Sequence, residues 1–136
     1  MSAEIPAQLS APFDNEIGLI YTDIGPEGVR AELELQPKLC QPAGIVHGGV
    51  YCSIIESMAS VSGFVWLNRD GSDLSGTVVG VNNNTDFLRS ISSGTVYGQS
   101  SPIHRGRRQQ LWLVVITDSG RRVIARGQVR LQNLTD

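Results

Sequence analysis

The sequence predicts an α+β fold, an antiparallel sheet of five to six strands wrapped around one long central helix. Gly44 to Trp66, GIVHGGVYCSIIESMASVSGFVW, passes from a glycine turn into a long apolar helix. Most of the remaining chain reads as strands, several of them alternating apolar and polar residues at the strand period. Turn signals at Gly25-Pro26-Glu27-Gly28, Ser92-Ser93-Gly94 and Asp118-Ser119-Gly120 separate those runs. The order reads β-β-α-β-β-β-β, and a sheet of that size must curl to bury a single helix.

Residues 1–12 hold Pro6 and Pro12, show no periodicity and read as a flexible leader; residues 13–134 read as a single domain. Phe13 to Glu16 suits one helical turn, with Asp14 near its start. Ile17 to Ile24 is a weak strand. Val29 to Leu35 sets Val29, Ala31, Leu33 and Leu35 on one face and Arg30, Glu32 and Glu34 on the other, a half-buried strand in a hairpin with the one before. Pro37 and Pro42 bracket a loop, PKLCQPAG, expected to hold no regular structure. The helix is expected from about His47 to Leu67, with a stop at Asn68-Arg69-Asp70-Gly71 and a Gly/Ser-rich loop to Gly76. Thr77 to Leu88 is a long strand with an odd polar run, Asn82-Asn83-Asn84-Thr85-Asp86. Thr95 to His104 follows. Leu111 to Thr117 is apolar enough for a central strand, and Val123 to Leu131 closes the sheet.

The length of 136 residues and 40% hydrophobic content suit one compact domain. Only 18% of residues are charged, low for a fully solvated surface, which points to a partner subunit. A net charge of −2 argues against a nucleic-acid partner. Cys40 and Cys52 form no disulfide framework and lack metal-ligand spacing, so they read as small buried thiols of a reduced compartment. The N-terminal stretch MSAEIPAQLSAPFD lacks the basic start and apolar run of a secretory signal. Glu56, serines and glycines interrupt the helix, which falls short of the roughly 20 apolar residues a membrane span needs. The expectation is a soluble, cytoplasmic protein with neither membrane nor nucleic acid as partner.

Glu56 is the one acidic residue in that helix. An ionised group is costly to bury unpaired, so Glu56 either meets water or has a task. Gly48 and Gly49 stand at the helix start, where backbone N–H groups lack internal partners and glycine allows close approach; the pair is either a tight turn or an oxyanion site. Gly48 and Glu56 lie eight residues apart, roughly 12 Å along the axis. A single carbonyl cannot be within about 3 Å of both. If both serve one reaction, they come from different subunits, with two helices antiparallel about a two-fold axis. Ser60, one turn past Glu56, can reach the carboxylate or bond back to its own backbone. Gln41 is a loop residue, functional or merely solvated, and His47 borders the turn and can fix it. His104-Arg105-Gly106-Arg107-Arg108 is a basic cluster in an acidic chain, either a solvated turn or a site for a phosphate-bearing group. Trp112 and Phe64 read as core.

The His47-Gly48-Gly49 turn, the acid nine positions after His47, and the closing segment PIHRGRRQQLWLVVITDSGRRVIARGQVRL resemble the PaaI-like, hotdog-fold acyl-CoA thioesterases over about residues 13–134. The nearest pattern is the branch with a helix glutamate, which includes hydroxybenzoyl-CoA and dihydroxynaphthoyl-CoA thioesterases, the latter of menaquinone biosynthesis. The resemblance implies hydrolysis of an acyl-CoA, with an aromatic acyl group as first expectation, in a homodimer or homotetramer. It implies Glu56 as nucleophile or general base, Gly48 as oxyanion donor, Gln41 orienting the thioester, Ser60 positioning water and His47 binding substrate. His104, Arg105, Arg107, Arg108 and Arg89 are expected to meet CoA, and Asn84 and Phe64 to line the acyl pocket. No metal or retained cofactor is implied, since CoA is part of the substrate. Asp86 and Ser90 depart from the asparagine and proline usual in the family's third strand, and Tyr51-Cys52 is bulkier than expected. The alternatives are a non-catalytic acyl-CoA or lipid-binding protein and, disfavoured by its different motif, a hydratase.

Overall fold

The computed structural model describes residues 5–6, 9–71 and 74–135. Its elements run α1 (Pro12–Ile17), β1 (Ile20–Gly25), β2 (Gly28–Glu34), α2 (Gly48–Leu67), β3 (Thr77–Phe87), β4 (Thr95–Arg105), β5 (Gln109–Thr117) and β6 (Val123–Leu134). The six strands form one antiparallel sheet in the order β1-β2-β4-β5-β6-β3. Its inner face wraps α2, and β5 is interior, as its apolar run predicts.

Some boundaries differ from expectation for local reasons. Pro12, assigned to the leader, opens α1, where its missing N–H goes unneeded. Gly18 ends α1 with a left-handed φ of 86°, its N–H bonding to Asp14 O, so β1 starts at Ile20 instead of Ile17. The loop expected to be irregular holds a 3-10 turn at Pro37–Leu39 and a bridge between Cys40 and Val46. Cys40 and Cys52 are half-buried, not buried, and both are free thiols. Leader residues 1–4 and 7–8 and loop residues 72–73 lie outside the described residues. By length and composition alone α2 is apolar enough to cross a membrane, contrary to the reading from its interruptions. In this fold it packs on β3, β5 and β6.

Two bulges decide which side chains face the helix. In β3, Gly80 pairs with Leu131 and Asn82 with Arg130, leaving Val81 as the extra residue. In β4, Pro102 pairs with Trp112 and His104 with Leu111, leaving Ile103 extra. Because side chains alternate strictly along a strand, one inserted residue exchanges the faces beyond it. Gly80 faces α2 before the first bulge; Asn83 and Phe87 face it after. Arg105, past the second bulge, turns inward against Trp66 and Trp112, and His104 lies outward.

The core is lined by Ile54, Ile55 and Met58 of α2 against Trp112, Val114, Ile116, Val129 and Leu131. A polar chain crosses it. Trp112 Nε1 donates to Gln110 Oε1 at 2.7 Å, and Gln110 Nε2 donates to Asn133 Oδ1 at 2.8 Å and to Gly63 O at 3.1 Å. Asn133 Nδ2 in turn donates to Gly106 O and Arg107 O, each at 3.0 Å. Gln110 is fully buried, so its loss strands several polar groups away from water. Gln110→Leu is expected to lower stability by about 1–3 kcal/mol for each stranded group, read as a lower urea midpoint; an unchanged midpoint would mean the network contributes nothing net.

Candidate active site

The start of α2 is set by its cap. His47 has extended backbone, and its Nδ1 accepts from the Gly49 N–H at 2.8 Å. The Val50 N–H bonds to His47 O at 3.0 Å. Among the described residues the Gly48 N–H has no acceptor, which leaves it free at the positive end of the helix. The Phe87 ring covers this point: a Cβ on Gly48 would lie 2.8 Å from two ring atoms. Tyr51 stands behind Phe87, with ring centroids 6.2 Å apart. Tyr51 is buried, and desolvation pushes its phenol up to about 12.

Glu56 lies half-buried in the middle of α2. Its Oε1 accepts from Asn83 Nδ2 at 3.1 Å. The same Nδ2 donates to Cys52 O at 3.1 Å, and Thr85 Oγ1 donates to Asn83 Oδ1 at 2.6 Å. The other carboxylate oxygen occupies space that exists because residue 80 is glycine; a Cβ there would fall 2.0 Å from Oε2. Ser60 is half-buried one turn on. Ser53 and Ser62 bond back to the carbonyls of Gly49 and Met58, whereas Ser60 has no hydrogen-bond partner among the described residues.

The loop before α2 is pinned at both ends. His47 N–H bonds to Leu39 O and Val46 N–H to Ile91 O, each at 2.9 Å. Gln41 closes a turn on itself, with Gly44 N–H to Gln41 O at 2.9 Å and its side-chain Oε1 taking the Ala43 N–H. Its side-chain oxygen is therefore committed to its own loop.

The basic cluster divides. Arg105 is engaged, donating to Glu27 Oε2 at 2.5 Å and to Pro26 O at 3.2 Å. That guanidinium holds the Glu27 carboxyl below the usual range. His104 is exposed near the end of β4, and Arg107 and Arg108 are exposed on the turn after it, where Asn133 holds the Gly106 and Arg107 carbonyls. Arg89 is exposed on the segment after β3.

Two expected pocket residues are not brought to Glu56 within the chain. Asn84 shares a groove with Asp86, Leu113, Arg126 and Gln128 on the outer face of the sheet. Phe64, buried two turns beyond Glu56, lines a cavity with Thr22, Ile24 and Asn68. The residues that do meet Glu56 and Gly48 are Asn83, Gly80 and Phe87, which sequence reasoning missed. The polar run at 82–86 marked the place, but the resemblance pointed to Asn84, and the bulge that turns Asn83 toward the helix was not legible.

Another carboxylate, this one buried, packs against the helix. Asp14 of α1 accepts from Ser57 Oγ at 2.7 Å. Desolvation pushes its carboxyl up, partly offset by that bond. The neighbouring Tyr21 is buried, and its hydroxyl has no partner among the described residues.

A sheet wrapped on one helix, with a carboxylate on that helix and a free N–H at its start, defines a hotdog-fold protein. The sequence profile of the thioesterase superfamily matches residues 43–125, and the chain belongs to that family. It is 64% identical over 129 residues to "Putative esterase Rv1847" of Mycobacterium tuberculosis, covering 95% of this chain and 91% of that protein. The solved structure of that esterase superposes with a TM-score of 0.88, covering 93% of this chain and 98% of that one. S. sahachiroi AziG is 41% identical with a TM-score of 0.87, covering 93% and 98% of the two chains. Thioesterase HI1161 from Haemophilus influenzae is 25% identical with a TM-score of 0.84, covering 94% and 86%. Together these relatives support a hydrolase.

Asp14 yields a pH prediction. Its carboxyl keeps its proton to higher pH folded than unfolded, so its contribution to stability is full below the unfolded value and is lost as pH rises through the folded one. Asp14→Asn fixes the uncharged form and keeps an acceptor for Ser57. The stability of the variant minus that of the wild type should grow between about pH 4 and pH 7, measured by urea unfolding. A difference flat with pH would show that Asp14 titrates alike in both states.

Proposed function

We propose that the protein hydrolyses an acyl-CoA thioester to the free acid and CoA, with an aromatic acyl group as the preferred substrate. The observation that carries this reading is Glu56, the one charged side chain in α2, with one oxygen anchored by Asn83 and the other lying over Gly80. A glutamate is ordinarily ionised at neutral pH and needs no further activation to serve as base or nucleophile. The Gly48 N–H is the donor for the developing oxyanion, a contact worth about 10²–10³ in rate in other acyl-transfer sites. Ser60 has a hydroxyl to spare for the attacking water. The wall formed by Phe87 and Tyr51 beside Gly48 favours a flat acyl group. Exposed Arg107 and Arg108, with His104 and Arg89, are the groups to meet CoA phosphates; Arg105 is already paired and braces the turn.

The site is completed by a second copy of the chain. Glu56 and Gly48 are roughly 12 Å apart along one helix, too far to share a carbonyl. At the sheet margin β3 leaves one edge unpaired and exposes Val79, Val81 and Phe87, with Leu88 just beyond it. An edge of that kind is ordinarily covered. A homodimer joined there sets Gly48 of one subunit toward Glu56 of the other, and a homotetramer pairs two such dimers.

Thiol release from hydroxybenzoyl-, dihydroxynaphthoyl-, phenylacetyl-, hexanoyl- and palmitoyl-CoA tests the chemistry. The aromatic esters should turn over fastest, and Glu56→Gln should lower kcat by about 10²-fold or more. CoA esters that bind without turnover would replace the enzyme with an acyl-CoA-binding protein.

Mixing inactive subunits tests the shared site. Gly48→Pro removes the N–H at the first helical position, where the backbone suits proline, and also sets its ring against Phe87, so circular dichroism must first show that the variant folds. Refolding equal amounts of Gly48→Pro and Glu56→Gln chains together should restore about a quarter of wild-type activity, because random pairing gives one intact site in each mixed dimer. No recovery from chains shown to have mixed would place both groups within one subunit.

A further inference from the structure

The polar run of β3 forms a clamp on the helix carboxylate. We propose that Asn83, held by Thr85, is a positioning residue that selects which oxygen of Glu56 reacts. The inference rests on the reading of Glu56 as the reacting carboxylate.

Both hydrogens of the Asn83 amide are directed onto α2, one to Cys52 O and one to Glu56 Oε1, each at 3.1 Å. Its oxygen takes the Thr85 hydroxyl at 2.6 Å. An amide held at three points cannot turn over without losing all three bonds. Cys52 is one turn before Glu56, so the clamp ties the carboxylate to the helix backbone beneath it as well as to the strand. Oε1 is thereby occupied, and Oε2, which accepts no hydrogen bond among the described residues, lies against Gly80 in the space a Cβ there would fill. Glu56 has three freely rotating side-chain bonds, and without the clamp either oxygen could point anywhere on that face of the helix. Reaction requires near-attack placement. The bulge at Val81 is what brings Asn83, and not Asn84, to this position.

Losing the clamp should lower kcat and leave KM nearly unchanged, a split that a purely structural residue would not produce. Thr85 acts one bond further out, and its loss should lower kcat by less.

The test is steady-state kinetics with the thioester turned over fastest. Asn83→Ala should lower kcat about 10- to 100-fold, a range set by the cost of ~1 Å of misplacement, with KM little changed. Asn83→Asp keeps the shape but removes the donor, and should lower kcat at least as far. Thr85→Val should show a weaker form of the Asn83→Ala effect, and Thr85→Ser should restore wild-type behaviour. Circular dichroism and urea unfolding on each variant separate positioning from loss of fold. Wild-type kcat in Asn83→Ala and Asn83→Asp, with Glu56→Gln inactive, would overturn the clamp alone. Full turnover by Glu56→Gln would overturn the parent reading and the clamp with it.

Discussion

The distance between α2 and the sheet governs everything else in this molecule. It is short because residues without side chains stand at the points of closest approach. A Cβ on Gly98 would lie 2.3 Å from Met58 Sδ, and one on Gly63 would lie 2.3 Å from Leu131 Cδ1. Gly63 sits in the interior of a helix, where glycine costs about 1 kcal/mol relative to alanine. The cost is offset by the contact it permits, since Leu131 and Gln110 are fully buried against that point. A helix seated this closely has one rotational setting and one depth. That setting turns the Glu56 face toward β3 and the Asp14–Ser57 contact toward α1.

On this fixed frame the strands aim individual side chains, and the bulges do the aiming. Beyond Val81 the β3 residues facing the helix change parity, so Asn83 and Phe87 arrive at Glu56 and Gly48. Beyond Ile103 the same change turns Arg105 inward, where Glu27, Trp66 and Trp112 surround it. The first bulge supplies the site with its polar contact. The second removes one arginine from the exposed cluster and uses it as a brace. A strand without an extra residue could do neither while keeping its apolar face continuous.

The parts of this structure legible in the sequence were those fixed by period and composition. The alternation from Val29 to Leu35, the apolar run of β5 and the length of α2 follow from how much of each face must be buried, and a single sequence records that directly. The candidate carboxylate was legible for the same reason, as a charge where the pattern asks for none. Bulges leave no comparable mark. Val81 and Ile103 are good strand residues, and nothing in their chemistry says that they go unpaired. Asn84, expected in the pocket from the family resemblance, lies on the outer face of the sheet, and its neighbour Asn83 bonds Glu56. The buried chain of Trp112, Gln110 and Asn133 was hidden likewise, because Gln110 closely follows an exposed basic turn in sequence but is fully buried in space.

The same strand carries the clamp and the open edge, and this links the proposed chemistry to the proposed assembly. β3 contributes Asn83 to Glu56 and Phe87 to Gly48, yet one side of its backbone has no neighbour in the sheet. Edge strands fray more readily than central ones because half of their hydrogen bonds face water. A carboxylate oriented from such a strand is only as well placed as the strand is still. Pairing that edge with a second subunit would cover Val79 and Val81 and hold the strand from both sides. It would also bring a second helix start within reach of Glu56, which one chain cannot do across roughly 12 Å of its own helix. Association and positioning are then one requirement: the contact that completes the site also steadies the strand that orients its carboxylate.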